Sequence, residues 1–187
     1  MVQFTRAKTF SDYEKIKTLQ NANLRNHLSL DELRSQGFLT ASYSLEFLQK
    51  MNEACPSIIA MDGETLAGYA LVAVQSIRKE HELLDDLFNH IDKAYYKNTP
   101  LADTSYVVVG QICVGKNYRG RGLVQQLYSQ FKEDLCQEYE YCITDVHQFN
   151  HRSMKAHLKT GFQIIGDLYF GSEPFNLILW DWNNKAL

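Results

Sequence analysis

Residues 111–123 read QICVGKNYRGRGL, and this stretch gives the strongest indication of how the chain folds. It begins in an apolar run typical of a buried strand, passes through a glycine-rich loop and enters a helical pattern at Leu123. The start of a helix has unpaired backbone N–H groups and a partial positive charge, so anions bind there. Gly120 and Gly122 place no side chain in the way of such a ligand. The stretch therefore predicts a strand, a diphosphate-binding loop and a helix in succession.

Two other interpretations of this loop were compared with the first. Arg119 and Arg121 are candidate cationic donors to a bound diphosphate, but they also fit a solvent-exposed turn that carries two charges. An arginine–glycine RNA segment fits less well, because the loop interrupts a well-patterned core and the net charge is −3. We therefore expect no nucleic-acid partner.

The rest of the chain alternates between strand and helix patterns. Ser11 and Glu14 form a capping-box pattern that predicts a helix start, and Asp62-Gly63 predicts the turn of a hairpin. Leu84, Leu87 and Phe88, with Ile91, predict one buried face of a helix. Helices are predicted over 11–26, 29–37, 44–54, 78–97, 123–135 and 151–161, and strands over 2–8, 57–61, 65–76, 105–114, 141–148, 162–170 and 175–182.

Length and composition indicate one domain over residues 1–187, with a helical insertion at about 79–100. No apolar run is long enough to span a membrane, and the first residues lack the apolar core of a signal peptide. We therefore expect a cytoplasmic protein with no membrane partner. The four cysteines form no CxxC pair, and Cys113 and Cys142 lie in apolar runs where a thiol packs as a small hydrophobe.

A second motif lies downstream, where residues 150–162 read NHRSMKAHLKTGF. On a helix that turns by about 100° per residue, Asn150, Ser153 and His157 lie within a narrow arc, and Gly161 ends the helix. Taken alone, this arc also fits an exposed polar face. Together with the upstream loop, the motif resembles the GNAT superfamily of acyl-CoA-dependent N-acetyltransferases.

The resemblance covers roughly residues 56–182. The pyrophosphate loop of that family, [QR]-x-x-G-x-[GA], falls on residues 119–124, where Val124 replaces the usual Gly or Ala. The second family motif falls on residues 150–162, where His157 replaces the commoner Tyr. The resemblance implies an α/β fold with a central mixed, mostly antiparallel sheet, splayed near the loop and flanked by helices. It implies that acetyl-CoA is bound by Ile112, Cys113, Val114, Arg119, Gly120, Arg121, Gly122, Leu123, Val124, Asn150 and Ser153.

The resemblance also implies direct transfer of an acetyl group from acetyl-CoA to an amine in a ternary complex. A backbone N–H within Ile112–Val114 would stabilise the oxyanion, and His157 would protonate the leaving thiolate or only pack under the cofactor. Asp145 and His147 alternate onto one face of their strand, so both are candidate bases for the amine. A water chain to bulk solvent is the alternative base. Gln111 could orient an amine but cannot take its proton.

The sequence leaves the role of the helix at about 80–97 open: it is either an acceptor wall, a homodimer contact or a surface helix. The aromatic residues Tyr169, Phe170 and Trp180 are candidates for lining the acceptor pocket. The spacing of His147, His151 and His157 matches no zinc signature, so no metal is expected. The competing function is a non-catalytic regulatory module that binds acyl-CoA or CoA. The acceptor itself is not indicated by any spacing.

Overall fold

The computed structural model describes residues 1–183, apart from the side chain of Arg34; residues 184–187, which the predicted domain includes, lie outside the described residues. The strands are β1 (Gln3–Arg6), β2 (Ile58–Asp62), β3 (Thr65–Ala73), β4 (Tyr95–Tyr96), β5 (Thr99–Pro100), β6 (Tyr106–Val114), β7 (Tyr141–His147), β8 (Gln163–Phe170) and β9 (Glu173–Asp181). The α-helices are α1 (Phe10–Asn21), α2 (Leu30–Ser35), α3 (Leu45–Ala54), α4 (Glu82–Lys93), α5 (Leu123–Leu135) and α6 (His151–Thr160). Short 3-10 turns lie at 25–27, 75–80, 101–103 and 116–118.

The central sheet has seven strands in the order β1-β2-β3-β6-β7-β9-β8, while β4 and β5 form a separate small hairpin. The pair β6–β7 is parallel, and the other neighbouring pairs are antiparallel. The parallel pair arises because α5 crosses over between β6 and β7. The predicted mixed, mostly antiparallel sheet flanked by helices is confirmed.

Strands β6 and β7 diverge soon after they meet. Their pairing runs only from Tyr106 opposite Tyr141 to Val108 opposite Ile143, although both strands continue well beyond. On the other edge of β6, Leu71 of β3 pairs with Gln111 and Val72 with Val109, which leaves Gly110 as a bulge. The bulge and the lost pairing open the sheet at the C-terminal ends of β6 and β7.

Two apolar layers cover the faces of the sheet. Helices α1, α3 and α4 pack on one face through residues such as Ile16, Leu48 and Phe88, and α5 packs on the other through Leu127 and Phe131. Strand β6 serves both layers because its side chains alternate: Tyr106 and Val108 lie in the first core cluster, and Val107 and Val109 in the second. The cysteines Cys113 and Cys142 are buried free thiols, as expected.

The predicted helix over 11–26 ends early, at Asn21, and the predicted positions of its N-cap and of the β2–β3 turn were wrong by one or two residues. Helix α1 begins at Phe10, because Thr9 accepts from the Asp12 backbone N–H at 3.2 Å while the Asp12 carboxylate accepts from the Thr9 N–H at 2.9 Å. The capping box therefore uses Thr9 instead of Ser11. In the hairpin, Asp62 pairs with Thr65, so the turn is Gly63-Glu64, with Gly63 at φ 59°.

The segment 79–100 contains α4, but the predicted helix was too long at both ends. The chain enters through the 3-10 turn at 75–80 and leaves through the β4–β5 hairpin, whose turn places Lys97 and Asn98 at positive φ. The four residues predicted for the buried face are all buried: Leu84, Leu87, Phe88 and Ile91.

No helix within residues 1–183 has the length and hydropathy needed to cross a bilayer.

Candidate functional site

The glycine loop lies between β6 and α5 and presents free backbone donors. Gly120 and Gly122 have φ values of 77° and 76°, a left-handed conformation that glycine adopts without strain. The first helical hydrogen bond of α5 runs from the Gln126 N–H to the Gly122 carbonyl at 3.2 Å. Among the described residues, none accepts a hydrogen bond from the backbone N–H groups of residues 120–125. The loop therefore offers a row of donors at the positive end of a helix dipole.

A groove of about 310 Å³ runs beside this loop. Nine of the predicted cofactor residues line it: Ile112, Cys113, Val114, Arg119, Gly120, Gly122, Leu123, Val124 and Ser153. Three basic residues of α6 line it as well, Arg152, Lys155 and Lys159, and the sequence prediction missed them. Their spacing of three and four residues places them on one side of α6, a signal that was present in the sequence. The groove thus combines free amides with positive charge.

Two other predicted cofactor residues do not line the groove. Arg121 is exposed, and its guanidinium carbon lies 5.6 Å from the centroid of the Tyr118 ring. Asn150 caps α6: its side-chain oxygen accepts from the Ser153 N–H at 3.3 Å, and its amide nitrogen donates to the Phe38 carbonyl at 2.9 Å. Asn150 therefore holds chain segments together, and it lines a second cavity instead.

The Arg119 side chain is engaged by protein groups. Its guanidinium donates to the Val114 carbonyl at 3.2 Å, to the Gln36 side-chain oxygen at 2.8 Å and to the Asn23 side-chain oxygen. Burial lowers the pKa of Arg119. The expected cationic donor to a diphosphate is thus turned towards α1 and the segment after α2, and the backbone N–H groups remain as the donors of the loop.

The backbone of β6 also presents donors to the opening in the sheet. The Gly115 N–H donates to the Ala67 carbonyl of β3 at 2.8 Å. Because successive residues of a strand direct their N–H groups to opposite sides, Cys113 also faces β3, and Ile112 and Val114 face the gap between β6 and β7. The Cys113 carbonyl also lies close to β3: its oxygen is 2.8 Å from the position that a Cβ on Gly68 would take. This agrees with Cys113 facing β3.

A second cavity, of about 270 Å³, lies between β7, α4 and residues 36–43, which we call the strap. Its lining includes the predicted base candidates Asp145 and His147. It shares five lining residues with the groove, namely Phe38, Leu39, Ile112, Ser153 and His157. The groove and the cavity therefore meet where β6 and β7 diverge.

Asp145 is the distinctive charge of this cavity. Its carboxylate is half-buried and has no side-chain hydrogen bond or ion pair to any side chain that the structure describes. Removal from water raises the pKa of Asp145 to about 6, because burial penalises the charged form. The carboxylate is thus ionised at neutral pH and able to take a proton.

His147 does not have a free nitrogen, which argues against the predicted base role. Its Nδ1 accepts from the Phe149 backbone N–H at 3.2 Å, so the proton of the neutral ring is on Nε2. That Nε2 donates to the Glu173 carboxylate at 2.6 Å, and Arg25 donates to the same oxygen at 2.8 Å. His147 therefore orients Glu173 at the cavity wall.

His157 is held in the opposite tautomer. Its Nδ1 lies 2.8 Å from the Ser153 carbonyl oxygen, which can only accept, so Nδ1 carries the proton. The ring packs edge-on against Tyr128 and Phe162, with centroid distances of 5.5 and 5.3 Å. Burial lowers the pKa of His157 to about 4. At neutral pH, Nε2 therefore has a lone pair and no proton to donate, and no described residue bonds to it. A neutral His157 holds no proton for the leaving thiolate, so its expected role as the acid is revised.

Other predicted side chains have clear positions. The Gln111 amide is fully used: its oxygen accepts from Gln20 at 2.9 Å and Tyr69 at 2.6 Å, and its nitrogen donates to the Ala41 carbonyl at 2.9 Å. Of the three candidate aromatic residues, Phe170 lines the cavity, whereas Tyr169 is exposed and Trp180 packs against the aromatic cluster around Tyr128. Within residues 1–183, no group of three His, Cys, Asp or Glu residues could hold a metal ion.

Helix α4 forms part of the cavity wall through Leu83, Leu84 and Leu87. Its acidic residues face elsewhere: Asp85 and Asp92 pair with Arg78 at 3.3 and 2.8 Å. Glu80, just before the helix, pairs with Lys50 at 2.6 Å. The helix therefore contributes apolar surface to the cavity, and its charges stabilise its own position.

Comparison with known proteins gives the following matches. The model of the acetyltransferase (GNAT) family matches residues 21–162. No curated protein matches the sequence significantly. A GNAT-family acetyltransferase from Streptococcus agalactiae superimposes with a TM-score of 0.68 at 17% identity, covering 96% of this chain and 95% of that one. At this identity, the likeness shows the fold alone.

Two solved structures that contain acetyl-CoA are also similar. NAA60 from Arabidopsis thaliana in complex with acetyl-CoA has a TM-score of 0.65 at 16% identity, covering 97% of this chain and 99% of that one. YncA from Salmonella typhimurium with acetyl-CoA has a TM-score of 0.62 at 13% identity, covering 100% of this chain and 96% of that one.

Proposed function

The chain belongs to the acetyltransferase (GNAT) family, and from that premise we propose that it transfers the acetyl group of acetyl-CoA to a primary amine, by direct attack in a ternary complex. The observation that carries this proposal is the junction at His157, which lines both the groove and the cavity. The thioester of acetyl-CoA in the groove and an amine in the cavity would meet at this junction. We also propose that residues 1–187 form one cytoplasmic domain, with residues 79–100 as an insertion.

The groove suits the cofactor in charge and shape. The free amides of residues 120–125 would hold the diphosphate, and Arg152, Lys155 and Lys159 add positive charge along the same groove. Acetyl-CoA is also the ligand of the Salmonella and Arabidopsis proteins of this fold. When bound, it supplies the acetyl group as a thioester.

The backbone of β6 would stabilise the charge that develops during transfer. The N–H groups of Ile112 and Val114 point into the gap beside His157, and Ile112 lines both the groove and the cavity. Donors fixed in a strand need no reorganisation when negative charge appears on a carbonyl oxygen, and one such donor contributes about 3–4 kcal/mol in other enzymes. We assign the Ile112 N–H as the principal oxyanion donor.

Asp145 would prepare the amine for attack. An alkyl amine arrives mostly as an ammonium ion at neutral pH, and an unpaired carboxylate in a partly apolar cavity attracts that charge. With a pKa of about 6, the Asp145 carboxylate is ionised at pH 7. It would accept the ammonium proton in an uphill step, because the ammonium pKa is about 10, and would then release that proton to solvent. His147 would act indirectly, by fixing Glu173 at the wall.

His157 would relay a proton instead of storing one. Its Nε2 lone pair can accept a proton from the attacking nitrogen and pass it to the departing sulfur, while the Ser153 carbonyl holds Nδ1–H in place. For this role His157 does not have to be protonated before the reaction begins. A pKa of about 4, which keeps the ring neutral at pH 7, is consistent with that. It also explains why one histidine lines both the groove and the cavity.

The experiment measures binding and turnover separately. CoA and acetyl-CoA are added in a thermal unfolding assay, and release of free thiol is followed with a panel of primary amines. We expect stabilisation by both ligands and amine-dependent thiol release. Stabilisation without thiol release on any amine would instead indicate a regulatory CoA-binding module, and no stabilisation at all would overturn both functions.

A further inference from the structure

We propose that the acceptor is a small primary amine with an apolar body, bound in the cavity with its ammonium group against Asp145. The inference rests on the proposed acetyl transfer and adds the class of acceptor. It follows from three features of the cavity: its size, its charge and its wall.

The size and lining of the cavity suit a small apolar molecule. Its volume of about 270 Å³ is near the lower end of the ~300–1,000 Å³ typical of small-ligand pockets. Most of the side chains that surround it are aliphatic or aromatic, including Phe38, Leu83, Leu84, Leu87, Val146, Phe170 and Phe175. A ligand that fills this space therefore gains most from an alkyl or aryl body.

The charge of the cavity requires a cation in a defined place. Two carboxylates line it, and one of them, Glu173, is already paired with Arg25 at 2.8 Å and with His147 at 2.6 Å. Asp145 is left without an ion pair or side-chain hydrogen bond in the described part of the chain. An unpaired carboxylate among apolar groups is unfavourable until a cation joins it. An ammonium group is the ligand that completes this site.

The α4 wall is fixed in position. Arg78 donates to Asp92 at 2.8 Å and to Asp85 at 3.3 Å, and its guanidinium lies 5.2 Å from the Phe88 ring centroid. Phe88 itself is fully buried in the first core cluster. Because the helix is held from within, Leu83 and Leu87 present a preformed apolar surface to the ligand.

The first test compares small amines with peptides as acceptors. Acetyl-CoA-dependent thiol release is measured with phenethylamine and hexylamine, and with short peptides that carry a free N-terminus or a lysine. We expect kcat/KM for the small amines to exceed that for every peptide by at least tenfold. Equal or higher kcat/KM for a peptide would overturn the inference while leaving acetyl transfer established.

The second test alters the wall. Leu83 is 36% exposed, so Leu83→Trp fills space in the cavity without removing a core side chain. We expect KM for phenethylamine to rise at least tenfold, with CoA affinity changed less than twofold. Ile164→Trp is the matched control, because Ile164 is exposed on β8 and lines neither the groove nor the cavity. An unchanged KM in Leu83→Trp would overturn the location of the acceptor.

The third test addresses the charge. The alcohol 2-phenylethanol has nearly the shape of phenethylamine but no positive charge, and N,N-dimethylphenethylamine keeps the charge. We expect the dimethyl amine, and not the alcohol, to inhibit competitively against phenethylamine. In Asp145→Asn, the two compounds should inhibit equally. If the alcohol inhibits equally well, the ammonium site at Asp145 is wrong. CoA binding, measured in parallel by calorimetry, separates this result from failure of the proposed function.

Discussion

The guanidinium of Arg119 donates a hydrogen bond to the side-chain oxygen of Gln36 at 2.8 Å. Arg119 begins the glycine loop, and Gln36 begins the strap that lines both the groove and the cavity. Arg152 of α6 donates to the same oxygen at 2.9 Å. The loop that we assign to the cofactor and the strap that covers the acceptor are therefore joined through one amide side chain.

Replacing Arg119 with alanine is expected to destabilise the protein by about 1–3 kcal/mol, because the buried Asn23 oxygen and the Val114 carbonyl lose their donor. Chemical denaturation measures this free energy of unfolding. Arg121→Ala is the matched control, since the Arg121 side chain is exposed and lies over the Tyr118 ring. Equal denaturation midpoints for the two variants would show that the Arg119 contacts contribute nothing.

Gly120→Ala is expected to weaken CoA binding by more than its effect on stability explains. An added Cβ at Gly120 meets no protein atom within 4 Å, so only the positive φ of 77° opposes it, at roughly 1–2 kcal/mol. Gly63→Ala has the same open surroundings and a φ of 59°, but lies in the β2–β3 turn. Calorimetry should show at least a tenfold loss of CoA affinity in Gly120→Ala alone. A similar affinity in both variants would place the diphosphate elsewhere.

Much of the fold followed from local patterns. The strand–loop–helix motif at 111–123, the apolar faces of α4 and α5 and the hairpin at Gly63 are each encoded within about 20 consecutive residues. The error at the start of α1 arose where two local signals overlap. Thr9-x-x-Asp12 and Ser11-x-x-Glu14 are both capping-box patterns, and the sequence does not show which one the tertiary structure selects.

The chemistry of the side chains was less predictable, because it depends on partners that are distant in sequence. Arg119 was expected to face a phosphate, but its partner Asn23 lies 96 residues away. His147 was predicted as a candidate base and His157 as the candidate acid. Their tautomers differ because one accepts from the Phe149 N–H and the other donates to the Ser153 carbonyl. Desolvation, which sets the pKa values of Asp145 and His157, likewise depends on the whole fold.

Asp145→Asn is expected to raise the melting temperature at pH 8 and to have little effect at pH 4. Burial raises the pKa of Asp145 to about 6, so the native state binds this proton more tightly than the unfolded state does. Stability contributed by the protonated form is present at low pH and is lost as pH rises through 6. Asparagine removes the cost of the buried charge above that pH.

Thermal unfolding between pH 4 and pH 8 measures this difference for Asp145→Asn. Asp103→Asn, at an exposed position outside the groove and the cavity, serves as the control and should show no such trend. A difference from wild type that is constant across the pH range would mean that Asp145 is not desolvated in the folded protein.

His157→Phe is expected to lower kcat by about 100-fold or more while keeping the pH profile of kcat/KM. Phenylalanine preserves the ring packing against Tyr128 and Phe162 but removes the Nε2 lone pair. Since the pKa of His157 is about 4 and that of Asp145 about 6, we expect kcat/KM to rise near pH 6 as Asp145 ionises. That rise should therefore persist in His157→Phe and disappear in Asp145→Asn. The opposite pattern, with the limb lost only in His157→Phe, would show that His157 titrates as the catalytic acid and that its neutral assignment is wrong.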